Sequence, residues 1–236
     1  MATAEPRRGP LVRRSVHHGA ALWLVGSLQF VLVMAVVQLA WTGHPAYSLS
    51  SNVISDLGNT QCGPWPHASS HDVCSPWHDV LDASVVVLGA VLILGAVLVR
   101  TGFPPRRSST VGLAMVSLAG LGAIGVGLAP ENVNLTVHSI AALDAFVVGN
   151  LALGALGVAM LRDTRWDGLR AYSLLSGLVG LVATALFVSQ VYVGLGEGGM
   201  ERLAVAPLLL WLIVAPVHLL RIPQYAPHAI VTESTR

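Results

Sequence analysis

Six long apolar runs alternate with shorter polar stretches along the chain, at residues 19–40, 80–99, 110–128, 137–161, 172–193 and 203–220. A helix needs about 20 mostly apolar residues to cross the hydrocarbon core of a bilayer. The pattern therefore predicts an all-α membrane protein, a bundle of six transmembrane helices over residues 19–221. The tails at 1–18 and 222–236 are expected to be flexible. The first run follows arginines, as the core of a signal peptide would. It is long, however, and leads into Trp41-Thr42-Gly43-His44 instead of a small-residue cleavage site, so it reads as a retained helix. In the third run Gly120, Gly122 and Gly125 fit G-x-G-x-x-G. That fingerprint needs a preceding strand within a βαβ unit, and here it lies inside a span. Ala119, Ala123 and Gly127 instead have the small-xxx-small spacing that lets helix backbones approach closely. Pro207 and Pro216 are expected to kink the sixth helix.

Composition agrees with lipid as the solvent. The chain is 54% hydrophobic and 11% charged, against about 25% charged in soluble domains. Charge placement adds a direction. All 13 basic residues are arginine, and with six spans every one except Arg202 falls on the same side. Basic residues mark the cytoplasmic side, so both termini are expected in the cytoplasm, with the protein in the plasma membrane. The net charge of +1 and the lack of a basic patch interleaved with aromatics speak against nucleic acid. Membrane lipids are the expected partners, and no cofactor motif is present.

Most acids and histidines then lie at the outer face, where the one long loop, residues 41–78, divides in two. Cys62 and Cys74 sit in a stretch rich in Pro, Ser and His. Outside the cytoplasm a disulfide can form and persist, and closing a loop of this size contributes roughly 3 kcal/mol by the chain-entropy estimate. A structural disulfide is the favoured reading. Metal binding by His67, His71 and His78 is the alternative, and no metal site is assigned. The other half is "YSLSSNVISDLGN", residues 47–59. Leu49, Val53, Ile54 and Leu57 recur with helical spacing, while Asn52, Ser55, Asp56 and Asn59 recur at i, i+3, i+4 and i+7 on the opposite face. A preceding serine can cap the run and Gly58 can end it. The prediction is a short two-turn amphipathic helix around residues 52–57, folded over the bundle with Asp56 facing inward.

Other polar groups are placed to meet it. Glu131 and Asn132 form a turn after the third helix, and His138 opens the fourth. Asp144 lies about 9 Å deeper along that helix, at a depth where an ionisable side chain is functional by default. Glu201 and Arg202 stand at the outer end of the sixth helix. Asp79 and Asp82 begin the second.

"SNVISDLGN" (residues 51–59), Pro130-Glu131-Asn132 with His138, Gly149-Asn150 and "GGMERL" (residues 198–203) together resemble a bacterial and archaeal membrane family catalogued as domain of unknown function 998. The resemblance covers nearly the whole chain. It implies six-helix integral membrane proteins without an established activity. The I-S-D-x-G element, Ile54 to Gly58, is similar to one in eukaryotic multi-pass proteins linked to GPI-anchor remodelling and autophagy modulation, which implies lipid-related work.

The leading functional expectation is an outward-facing polar site near the headgroup layer that binds a lipid or envelope component or acts as a scaffold. Its binding groups would be Asn52, Ser55, Asn59, Asn132, Asp144, Asn150, Glu201 and Arg202. The alternative is a lipid- or envelope-modifying hydrolase or transferase with Asp56, Glu131 and His138 as acid–base groups. Ser55 would be its nucleophile, although no G-x-S-x-G elbow surrounds it and no H-E-x-x-H occurs. A small-molecule transporter is a further alternative, without the paired broken helices that mark transporter sites.

Overall fold

The computed structural model describes residues 10–65 and 71–221. It contains six spans long and apolar enough to cross a membrane. The first three are single helices, α1 (Pro10–Leu39), α2 (His78–Val99) and α3 (Arg107–Leu128). The fourth span is compound. It runs through α4 (Leu135–Leu143), a π turn over Asp144–Val148, and α5 (Gly149–Ala159). A 3-10 turn at Thr164–Trp166 leads into α6 (Asp167–Val188), and α7 (Gly196–Arg221) completes the set. The loop between α1 and α2 holds a 3-10 turn at Ser55–Gly58 and an antiparallel hairpin, β1 (Gly63–Trp65) with β2 (His71–Val73). Cys62 and Cys74 are joined by a disulfide at the base of that hairpin.

Two helices begin well before their apolar runs. α1 starts at Pro10, a residue suited to the first helical position because its missing N–H would have no partner there. The expected flexible stretch 1–18 is thus helical from residue 10, and Arg13 and Arg14 lie on the helix, where long aliphatic stems cover apolar surface while the charge reaches water. Residues 1–9 and the tail 222–236 lie outside the described residues, as does His67. α7 starts at Gly196 and runs through both Pro207 and Pro216 without ending.

Each span packs on its neighbours in sequence, and α7 closes the ring against α1. The α2–α3 crossing brings backbone onto backbone. A Cβ on Gly89 would fall 2.3 Å from the Gly120 carbonyl oxygen, so only glycine permits it. Ala119, Ala123 and Gly127 are buried on the same helix, and the glycine run is helical throughout. α1 is keyed to α2 by Trp23, whose Nε1 donates to the Leu92 carbonyl at 3.1 Å, and by Gln29, which exchanges hydrogen bonds with Ser84.

The two ends of the bundle are filled differently. At the end carrying the clustered arginines, Trp23, Phe103, Trp166 and Trp211 are all fully or almost fully buried. Phe103 stacks on Trp166 at 5.3 Å between ring centroids and on Trp211 at 6.3 Å. Trp211 Nε1 is satisfied by Ser173 Oγ at 2.8 Å. Four large aromatics thus close that end. The end beneath the long loop is hollow.

Candidate functional site

Residues 47–59 form a lid over the hollow end, but not as the two-turn amphipathic helix that the spacing predicts. Only Ser55–Gly58 is regular, as one 3-10 turn. The predicted amphipathicity also fails. Asn52, Asp56 and Asn59 are buried together with Val53 and Leu57, whereas Leu49 is 57% exposed. The physical reason is competition for backbone groups. An α-helix through this stretch would pair Ile54 N–H with the Ser50 carbonyl. Instead Ile54 N–H donates to Glu201 Oε2, and the Ser50 carbonyl accepts from Gly198 N–H at 2.9 Å. Asn52 folds its own Oδ1 back onto Ser48 N–H at 2.9 Å. Partners on α7 take the bonds the helix would have used.

The lid is tied down on three sides. On α7, Arg202 Nη1 donates to the carbonyls of Leu49 (3.1 Å), Asn52 (2.7 Å) and Gly198 (2.8 Å), while Nη2 donates to the Tyr47 hydroxyl. Gly198 allows this closeness, since a Cβ there would lie 2.0 Å from the Asn52 carbonyl oxygen. The residues of "GGMERL" are therefore a docking strip for the lid. On the α3–α4 turn, Asn59 Nδ2 donates to Glu131 Oε1 at 2.9 Å, and Asn132 pairs with Thr60 through both N–H and hydroxyl. At the foot of α2, Ser75 Oγ donates to the Leu57 carbonyl at 2.7 Å. Burial pushes the Tyr47 phenol pKa well above its ordinary value, with the Arg202 charge opposing that shift.

Beneath the lid lies a chamber with a cavity volume of about 110 Å³. Phe30 of α1, Leu88 and Leu92 of α2, Ala119 and Ala123 of α3, Phe146 of the π turn, and Leu208 and Leu212 of α7 make its apolar wall. α6 contributes no lining residue. Ten residues of α2 separate Asp82 at the roof from Leu92 near the floor, a depth of about 15 Å at 1.5 Å per residue. That is roughly the hydrocarbon depth of one leaflet. Ser55, Asp82, His138, Asn150 and Glu201 are the lining residues with polar side chains that can hydrogen-bond.

One side of the chamber is thinly walled. α4 packs chiefly on α3 and makes no substantial contact with α6 or α7, although α4 and α7 both line the chamber. Of its residues only His138 is buried. Further in, Phe146 meets Phe187 of α6 edge-on at 6.4 Å. The π turn sets Phe146 there. Its loosened backbone leaves the Phe146 carbonyl to accept from Asn150 Nδ2 at 2.8 Å, and the same amide donates to the Ala204 carbonyl at 3.0 Å.

Of the three residues predicted as catalytic, His138 alone lines the chamber. Asp56 is fully buried and accepts from Asn52 Nδ2 at 2.9 Å. Glu131 is held by Asn59, and neither carboxyl lines the chamber. His138 does line it. Its Nδ1 sits 2.9 Å from the Ala129 carbonyl oxygen. That oxygen can only accept, so Nδ1 carries the proton of the neutral ring and Nε2 holds the lone pair. Glu201 lies within electrostatic reach of Arg202, Glu131 and Asp56 and so joins the lid seam to the chamber roof. Arg202 binds backbone carbonyls and a phenol, not an anionic partner. Asp144 stands against Gly122 at the α3 seam, away from the chamber. Among the described residues no group of three His, Cys, Asp or Glu is placed to hold a metal ion.

Sequence reasoning missed Asp82 as a site residue and read it only as a helix starter. Its Oδ1 lies where it would be 2.5 Å from a Cβ on Gly58, so the lid glycine is what lets the turn settle over this carboxyl. The signal was present in the helical phase. Asp82 shares a face with Val85, Gly89 and Leu92 at i+3, i+7 and i+10, and that face is buried.

No curated protein and no solved structure matches the chain. A family model does, over residues 5–218, from the arginines ahead of α1 to the last turn of α7. A six-span bundle with the motif residues gathered at its lid thus belongs to the family described as protein of unknown function DUF998.

Proposed function

We propose that this protein binds a membrane-derived chain molecule in the lidded chamber and presents its polar end to the lid, as a lipid- or envelope-component-binding protein of the plasma membrane. The observation that carries the reading is the chamber itself. It is apolar along about one leaflet's depth and bears its polar groups at the roof, which is the division of an amphiphile. Concave sites with apolar walls and a few convergent polar groups are the usual form of small-molecule sites. The sparse packing of α4 against α6 and α7 supports entry sideways from the bilayer. The arginine distribution supports a lid at the outer face with both termini in the cytoplasm, and in this reading the ligand comes from the outer leaflet.

A second reading, a lipid- or envelope-modifying hydrolase or transferase, draws on one observation: Ser55, Asp82 and His138 line the same chamber. A histidine with a fixed tautomer and an open Nε2 has the form of a general base.

The test of the binding reading is mass spectrometry of lipids carried by the detergent-washed protein, comparing the unmodified chain with Ala123→Phe, which fills the chamber from α3. The expected result is a defined lipid retained by the former and lost from the folded variant. Equal lipid content in both, in a variant with unchanged thermal unfolding, would sink the chamber as the binding site.

A further inference from the structure

The ligand's headgroup chemistry follows from which hydrogen-bonding groups of the chamber are already used. Asn150 spends its Nδ2 on two carbonyls, while its Oδ1 has no partner among the described residues. His138 spends Nδ1 on Ala129 and keeps Nε2 as an acceptor. Glu201 is engaged by Ile54 N–H. Asp82 has no hydrogen bond within 3.5 Å among the described residues, and its nearest basic atom is His78 Nδ1 at 3.9 Å. Its side chain is nonetheless 17% exposed and faces the chamber. Ser55 has a hydroxyl that can either donate or accept. The remaining capacity of the chamber is therefore almost entirely acceptor. Arg202 is the arginine of the lid end among the described residues. It is committed to the lid and is not part of the lining.

Acceptors that line an apolar space are satisfied by donors. Buried polar groups without partners are costly, and a ligand that donates removes the cost. A phosphate or carboxylate end would instead bring a charge into an apolar space whose lining holds no arginine to pair with it, and burying an unpaired charge is costly. The positive ends of α2, α4 and α7 do gather at the lid, but Asp79 and Glu197 on the first turns of α2 and α7 already answer two of them.

Resting on the chamber reading, we infer that the ligand is a long-chain lipid whose polar end is an uncharged or cationic hydrogen-bond donor, an alcohol or an amine, received by Asp82, and that lipids ending in phosphate are excluded.

The test uses the full chain in nanodiscs and three photoreactive probes sharing one long saturated chain with a diazirine: the alcohol, the primary amine and the phosphate monoester. Peptide mapping reads where each probe attaches. Alcohol and amine are expected to label α2 and α7 chamber peptides roughly tenfold more than the phosphate, a free-energy difference of about 1.4 kcal/mol. In Asp82→Asn, which keeps the shape and removes the charge, amine labelling is expected to fall several-fold more than alcohol labelling. Phosphate labelling equal to or above the alcohol overturns the donor assignment and leaves the chamber reading standing. Absence of chamber labelling by all three probes overturns both. The probe comparison on the unmodified chain decides the matter even if Asp82→Asn does not fold. Equal response of amine and alcohol to that substitution, in a folded variant, removes Asp82 as the receiving group.

Discussion

The two halves of the α1–α2 loop are ordered by opposite means. The strands β1 and β2 form a hairpin on which Pro64 and Asp72 are exposed, and the exposed Cys62 closes it through the disulfide to Cys74. Residues 47–59 contain no cysteine and one turn of regular structure, yet Asn52, Val53, Asp56, Leu57 and Asn59 are buried. The hairpin takes its outside hydrogen bonds from the adjoining chain, Thr42 N–H to the Cys74 carbonyl and Asp72 N–H to the His44 carbonyl, and buries Val73. The lid needs a donor or acceptor from Ser75 just before α2, from the α3–α4 turn and from α7. A segment with few buried contacts is ordered by constraining its unfolded chain. A segment that buries polar groups is ordered by satisfying them, and every lost partner leaves a penalty behind.

The strongest way to break this contrast is Arg202→Ala. It removes one side chain from four acceptors, three of them lid or docking-strip carbonyls. The expected loss is about 3 kcal/mol or more, read by thermal unfolding in detergent, together with protease cleavage within residues 47–59. Arg202→Lys retains the charge but not the fork that reaches several acceptors at once, so it recovers only part of the loss.

Asp56→Ala comes next. Asn52 Nδ2 loses its acceptor in a buried position, at an expected cost of about 2 kcal/mol. Asp72→Ala in the exposed hairpin is the matched control and should stay within about 0.5 kcal/mol. Equal effects of the two on unfolding would erase the distinction between the halves.

Replacing Cys62 and Cys74 together by serine sharpens it from the other side. The hairpin becomes open to protease, while lid cleavage is unchanged and unfolding of the bundle shifts by less than about 1 kcal/mol, because the hairpin opens as its own local unit. A lid that becomes cleavable in this variant would show that the halves are coupled.

The smallest expected effect is a pH effect at Tyr47. Its phenol is held neutral by burial, with a folded-state pKa above the ordinary value. The unfolded chain ionises first as pH passes about 10. The stabilisation is therefore full below that pH and is lost as pH climbs toward the folded-state pKa. Thermal unfolding from about pH 9 to about pH 11 should decline less steeply in Tyr47→Phe than in the unmodified chain.

The spans were legible because lipid demands a composition that can be read along the chain, and the disulfide because two cysteines sit in one loop. The lid's residues were legible as a group too, since Asn52, Asp56 and Asn59 stand out against their apolar surroundings. Its conformation was not. Ile54 is ordered by Glu201, 147 residues away, and no local window contains that competition. The chamber was invisible for another reason. Leu88, Leu92, Ala123 and Leu208 would suit a filled core equally well, and an empty volume leaves no periodicity. Asp82 lay between these cases, marked by its phase on α2 but masked by its closeness to the helix start.

The ring closure between α1 and α7 also bears on how the protein is made. The lid leaves the ribosome early, right after α1, but its docking strip is the last span. At typical rates of synthesis the intervening chain takes on the order of ten seconds to appear. Throughout that time the carbonyls of Leu49 and Asn52 and the amide of Ile54 must be served by water. The hairpin has no such wait, since β1 and β2 are both present before α2. The loop therefore reaches its final form in two separate events, an oxidation that needs only Cys62 and Cys74 and a docking that follows insertion of the last helix. Lid protection can serve as a reporter of complete assembly: a chain truncated before residue 196 should carry the disulfide and still expose residues 47–59.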